Sequence, residues 1–163
     1  GFLLGAYGKL AAGSRYRSLQ AQLMKVQSRL RRATRDASNM EKMIGRMEKA
    51  ELNAVTVSAN AAYNQAMGTV STSNATAYTQ AAAQATAMKD QYMAVMKQQI
   101  QDKYEQMRDN MLEPMKDEED LLQGEKDSLE SQIQVAKADY DTCKQMEKTD
   151  AQMMKPEYTA GGQ

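Results

Sequence analysis

From Tyr16 to Met47 the apolar and small residues recur at intervals of three and four without a break. The series is Tyr16, Leu19, Leu23, Val26, Leu30, Ala33, Ala37, Met40, Ile44 and Met47. Such spacing, with charged residues on either side, describes a helix that packs along one stripe against a second helix. Arg29, Arg31, Arg32, Arg35, Lys42 and Arg46 all fall off the stripe. The small Ala33 and Ala37 admit a close partner in mid-seam. Near Glu51 the stripe jumps phase and resumes as Val55, Ala59, Ala62 and Ala66. An insertion of that kind unwinds a supercoil locally without ending the helix.

Gly68 and the Ser/Thr/Asn cluster up to Asn74 predict a turn over 68–74, with Asn74 capping the helix that follows. That helix carries Ala77, Ala81, Ala85, Met88, Tyr92, Met96, Ile100, Tyr104, Met107 and Met111 on one side. Pro114 then interrupts. Either a new helix starts there, with Asp117, Glu118, Glu119 and Asp120 in its first turn, or one long helix kinks. Beyond it Leu122, Leu129, Ile133, Ala136, Tyr140 and Cys143 form another seam, with Lys126 as its one polar position.

The expected fold is all-α: a single elongated domain over 1–163, built as a helical hairpin with coiled-coil terminal arms. Its parts are an apolar segment 1–8, a basic arm 9–67, the turn 68–74, a second helix 75–113, an acidic arm 114–153 and a tail 154–163 beginning near Pro156. A hairpin folded at about residue 71 brings position i beside position 142 − i. Leu30 then lies by Leu112 and Val26 by Lys116. Residues beyond about 130 are left for a neighbouring copy to cover, unless Pro114 reverses the chain into a third packed helix.

Composition supports this class. Ala, Met, Gln, Glu, Lys and Arg abound, while there is no Trp, one Phe and two Pro. Strong helix formers dominate and strand-favouring residues are scarce. No His is present, which removes the commonest general base, zinc ligand and near-neutral switch. Carboxylates and lysines are not gathered among pocket-forming residues. No catalytic residue, cofactor, metal ligand or small-molecule substrate is therefore expected. The lone Cys143 excludes an internal disulfide; a small buried hydrophobe is the preferred reading over a reactive thiol. No apolar run is long enough for a membrane span. The opening Gly1–Gly8 is too short for a secretory leader, and Gly5 stands where an N-myristoylation pattern wants Ser or Thr. It reads instead as an anchor in a neighbouring subunit's groove.

Charge is segregated along the chain. The first fifty residues carry eleven Lys/Arg against three Asp/Glu, residues 53–88 carry no charge, and from Lys89 onward there are ten basic and seventeen acidic residues. A basic arm and an acidic arm can pair within one chain or between copies. The cluster Arg29, Arg31, Arg32 and Arg35 also invites a nucleic-acid reading. No interleaved aromatic accompanies it, and the acidic run Asp117, Glu118, Glu119 and Asp120 offers a partner, so helix pairing is preferred. The acidic run lacks the Gly and the spacing of a calcium loop. The methionines at helical spacing read as packing ahead of a promiscuous groove. The twelve Ala of 53–88 favour a helix over a linker, and its uncharged surface suits a packed subunit interior.

The Leu19–Met47 seam, the Leu122–Cys143 seam and the neutral Ala/Ser/Thr/Asn/Gln middle resemble flagellin-like filament subunits exported by type III secretion systems. The chain departs from them in its fourteen Met and in lacking the flagellin terminal motifs. The resemblance implies a homopolymeric helical filament or tube whose terminal helices pair, secreted without a cleaved signal. The partner expected is the chain itself. The alternative is a finite helical adaptor, chaperone or phage virion ring or tube component, cytoplasmic or in the virion.

Overall fold

The computed structural model describes the backbone of residues 2–161 and the side chains of 3–153. Among these residues every regular element is helical: α1 (Phe2–Gly68), α2 (Ala75–Met107), a π-helical turn (Arg108–Leu112) and α3 (Glu113–Gly161). The apolar segment up to Gly8 is the first part of α1, and α3 runs on through Pro156, where a tail was expected. Gly162 and Gln163 lie outside the described residues. Where the sequence predicts a single domain, the chain packs as two units. One joins α1 up to Thr34 with α3 from Asp117; the other spans Arg35–Lys116.

The Arg35–Lys116 unit is a hairpin. α1 ends in two tight turns, Thr69 and Val70 donating to the carbonyls of Ala66 and Met67. Asn74 caps α2 as expected: its side-chain oxygen accepts from the N–H of Ala77 at 3.1 Å, satisfying one of the donors every helix start leaves free. The core holds Ala37, Ile44, Val55, Ile100, Tyr104 and Leu112, with Met93, Met96, Met107 and Met115 packed against it. Ile44 and Tyr104 are fully buried.

Pro114 neither starts a helix nor reverses the chain. It lacks an N–H, and its ring crowds the carbonyl four residues back in an α-helix. The preceding turn is widened instead: the N–H of Glu113 donates to the carbonyl of Arg108, five residues away. The extra residue shifts the stripe by one position. Seven residues beyond Tyr104 the sequence predicts Met111 inside, but Met111 is 41% exposed and Leu112 is 3% exposed. With the helix unbroken, Asp117–Asp120 occupy no helix N-terminus.

The other unit pairs α1 with α3 around Leu19, Val26, Leu129 and Ala136, flanked by Tyr16, Leu23 and Ile133. Here the heptad pattern holds. At its far end the helices approach closely on glycine. A Cβ on Gly5 would lie 3.1 Å from the backbone nitrogen of Glu147, and one on Gly13 would lie 3.2 Å from the Tyr140 ring. Both contacts are tighter than a methyl group tolerates without a shift.

The hairpin register differs from the expectation. Glu51 meets Lys103, Glu48 meets Arg108 and Gly13 meets Tyr140, so position i faces about 154 − i in place of 142 − i. Val26 accordingly packs with Leu129, not beside Lys116. Matching of bulky residues sets this register: it brings Ile44 and Val55 into one cluster with Ile100, Tyr104 and Leu112. The cost falls on the start of α2, where residues 75–80 are all exposed. The consequence for the acidic arm is direct. Ile133 and Ala136 pack with the chain's own Leu19 and Val26, and Tyr140 and Cys143 lie against Gly13 and Gly8. No neighbouring copy is needed to cover that seam.

Candidate functional site

The candidate assembly residues fall into two groups. Of the seam, Leu19, Val26, Ala37, Ile44, Leu122, Leu129 and Ala136 are buried, and Leu23, Leu30, Ala33, Met40, Ile133, Tyr140 and Cys143 are half-buried. These residues form the interior of the chain itself. Met47 is the exception at 40% exposed. The stripe jumps phase there, one turn before Glu51, and Glu48 turns inward in its place. Ala62, Ala66 and Ala77 also face outward, as do Met88 and Tyr92. Leu52, Tyr63 and Met67 take the half-buried positions of α1, and Met93 does so on α2.

The charged group is placed differently from the expectation. Arg29, Arg31, Arg32 and Arg35 are exposed, as are Asp117, Glu118 and Asp120, with Glu119 half-buried. Among the described residues no ion pair joins one set to the other. Within the Arg35–Lys116 unit the polarity is even reversed: the acids Glu48 and Glu51 stand on α1, and the cations Arg108 and Lys103 answer from the opposite strand of the hairpin. Among the described residues, Lys9 with Glu147, at 3.3 Å, is the ion pair that joins a base of the first arm to an acid of the last. Lys126, the polar seam position, lies 3.9 Å from Glu130 on its own helix.

The one polar cluster in the hairpin core centres on Tyr104. Lys103 donates to Glu51 at 2.8 Å, which holds the Glu51 carboxyl below the usual carboxylate range and Lys103 above the usual amine range. Burial raises the Tyr104 phenol, and the nearby Glu51 carboxylate adds to that. The Tyr104 hydroxyl is buried with no hydrogen-bond partner. The cluster packs with the hairpin core, where Tyr104 is fully buried. Among the described residues no three His, Cys, Asp or Glu side chains gather as a metal site would require. Among the described residues no helix is long and apolar enough to cross a membrane.

Apolar surface is left open in both units. Near the hairpin turn a groove of about 350 Å³ is lined by Ala59, Tyr63, Met67, Ala81, Ala85 and Met88. Lys89 closes its rim, 5.4 Å over the Tyr63 ring. In the other unit α3 exposes Leu121 (64%), Val135 (57%), Met146 (43%) and Met153 (66%). The sequence reading missed both this second stripe and the glycine face of α1. The signals were present, as Leu121 and Val135 two heptads apart and as Gly5, Gly8 and Gly13 within three turns.

Comparison with protein-family models, with curated proteins and with solved structures returned no match.

Proposed function

We propose that this chain is a self-associating structural subunit of a helical filament or tube, joined by the basic surface of one copy and the acidic surface of the next. The observation that carries this reading is a set of largely exposed charges without ion-pair partners among the described residues. Four arginines between positions 29 and 35 and four acids between 117 and 120 find no mates in each other within the chain. Charges of opposite sign left free on one copy can be met by another copy, and such heterologous contacts propagate as a filament when their rotation does not close into a ring. Electron microscopy at low salt tests it: threads are expected, thinning out as added salt shortens the Debye length below about 10 Å. Reversing Arg29, Arg31, Arg32 and Arg35 to Glu should abolish the threads with helicity kept. Uniform discrete particles from the parent chain would defeat the reading. Export without a cleaved signal belongs to the same proposal.

A finite helical adaptor, chaperone or virion component is the second reading. It is favoured by the covered Leu122–Cys143 seam, which removes one reason for a neighbouring copy. Sedimentation separates the two, since a finite complex reaches a limiting size as concentration rises.

A further inference from the structure

The α1–α3 unit has an open side carrying rows from both helices. There α1 presents Leu4, Ala11, Ser18 and Lys25 at intervals of seven, with Gly8, Arg15, Gln22 and Arg29 beside them. On the same side α3 presents Leu121, Ser128, Val135 and Thr142, with Glu125, Gln132, Asp139 and Met146 beside them. All but Gly8 are exposed. Two open grooves establish that these rows share a face. One of about 740 Å³ runs between Gln22, Lys25 and Arg29 on α1 and Leu121, Glu125 and Ser128 on α3. The other, of about 380 Å³, lies between Gly8, Ala11 and Arg15 on α1 and Asp139 and Thr142 on α3.

The face is therefore divided lengthwise. The α1 half is basic, with small Gly8, Ala11 and Ser18 between its cations and no acid among its rows. The α3 half is bulky and acidic, with no base among its rows. Arg29 and Glu125 line one groove and Arg15 and Asp139 the other, yet neither couple is an ion pair.

We propose that this face binds the same face of a second copy, closing a four-helix bundle about a two-fold axis parallel to the helices. That axis lays α1 of each copy over α3 of the other, base over acid. A two-fold axis across the helices would lay α1 on α1 and oppose like charges, which is costly at an interface. The chosen axis preserves height along the bundle, so the intrachain register carries over. Arg15 meets the partner's Asp139, and Arg29 meets the partner's Glu125. Val135 sits over the partner's Ser18, and Met146 over the partner's Gly8, bulky residues above small ones as interdigitating layers require. An isologous contact of this kind closes on itself.

The proposal rests on the reading that the chain associates with itself, and names the first contact in that association. Three samples test it by sedimentation equilibrium and circular dichroism at low salt: the parent, R15E/R29E and E125K/D139K. The substituted residues are exposed, so helicity should match the parent in each. The parent should sediment as even multiples of the chain, the dimer being the smallest species on dilution from threads. Each variant alone should lose the dimer, because positions 15 and 139, and positions 29 and 125, then carry like charges where the two copies meet. An equimolar mixture of the two variants should recover a one-to-one complex, since each α1 then meets an α3 of opposite charge. Variants that self-associate like the parent, or a mixture that stays monomeric, overturn the proposal. If the parent and both variants form threads alike, this face is wrong and the filament reading stands. A monomeric parent overturns both.

Discussion

The two packing units solve the same problem, two antiparallel helical segments around a narrow core, in different ways. The α1–α3 unit keeps its heptads regular, with Leu122, Leu129 and Ala136 seven apart and Gly5 and Gly13 drawing the helices together. The Arg35–Lys116 unit carries two irregularities: the phase jump at Met47 and Glu48 on α1, and the π-turn at Arg108–Leu112 on the other strand of the hairpin. They face each other, for Glu48 pairs with Arg108. Each irregularity rotates a stripe away from its expected line, and pairing them lets both stripes return to a shared core beyond. The hairpin unit also buries larger side chains, with Ile44 and Tyr104 fully enclosed. The regular unit buries aliphatic side chains, Leu19, Val26, Leu122 and Leu129, while the irregular one adds the Tyr104 ring and an ion pair at its mismatch.

The comparison breaks most readily at the two isoleucines. Ile44→Asp places an unpaired carboxylate in a fully buried site and should cost more than about 4 kcal/mol. Ile133→Asp enters a half-buried site and should cost roughly half of that. Because Ile133 packs on the chain's own α1, helicity should fall along with any assembly. Urea melts followed by circular dichroism measure both, and equal losses would erase the distinction drawn between the cores. Glycine sharpens the contrast next. Gly13→Leu should destabilise by about 1–3 kcal/mol through overpacking against Tyr140. Gly45→Ala, with nothing within 4 Å of its added Cβ, should stabilise by about 0.5–1 kcal/mol through lower chain entropy and better helix propensity. Hydrogen exchange should confine the Gly13 effect to residues 3–34 and 117–153.

Asn74→Ala should cost about 1 kcal/mol, felt in the Arg35–Lys116 hairpin alone, because one capping hydrogen bond is lost. The smallest effect is that of pH. Lys103 and Tyr104 both have raised values in the folded chain, so their contribution is present below about pH 10 and fades as pH rises through that range. Glu51 is lowered, so its contribution is present above about pH 4.3 and fades as pH falls below it. Thermal melts of the parent and Lys103→Met should differ at neutral pH and converge at acid pH. A constant gap across that range would mean that the Glu51–Lys103 pair contributes nothing.

Much of this architecture is legible in the sequence. Helix propensity and the three-four spacing define the long helices, and the Asn74 cap and the turn before it appear where Gly and Ser/Thr/Asn residues place them. From Leu19 to Ile44 and from Leu122 to Cys143 the periodic positions are the buried and half-buried ones, because local periodicity alone decides which face of a helix is apolar. Less was legible in the candidate site. Charge segregation suggested pairing between the arginines and the Asp117–Asp120 run, but which charges meet depends on register, and register is not a local property.

Sequence by itself determined the class of element, the extent of the seams and the segregation of charge, since these follow from interactions between residues a few positions apart. The tertiary structure alone decided that position i faces about 154 − i, that Leu112 displaces Met111, and that Glu48 rather than Met47 turns inward. Sliding one helix along another changes few local preferences, so the register is chosen by the best fit of all bulky residues at once. Ile44, Val55, Ile100, Tyr104 and Leu112 make that choice together, and the exposed first turns of α2 are what the chain gives up to satisfy it.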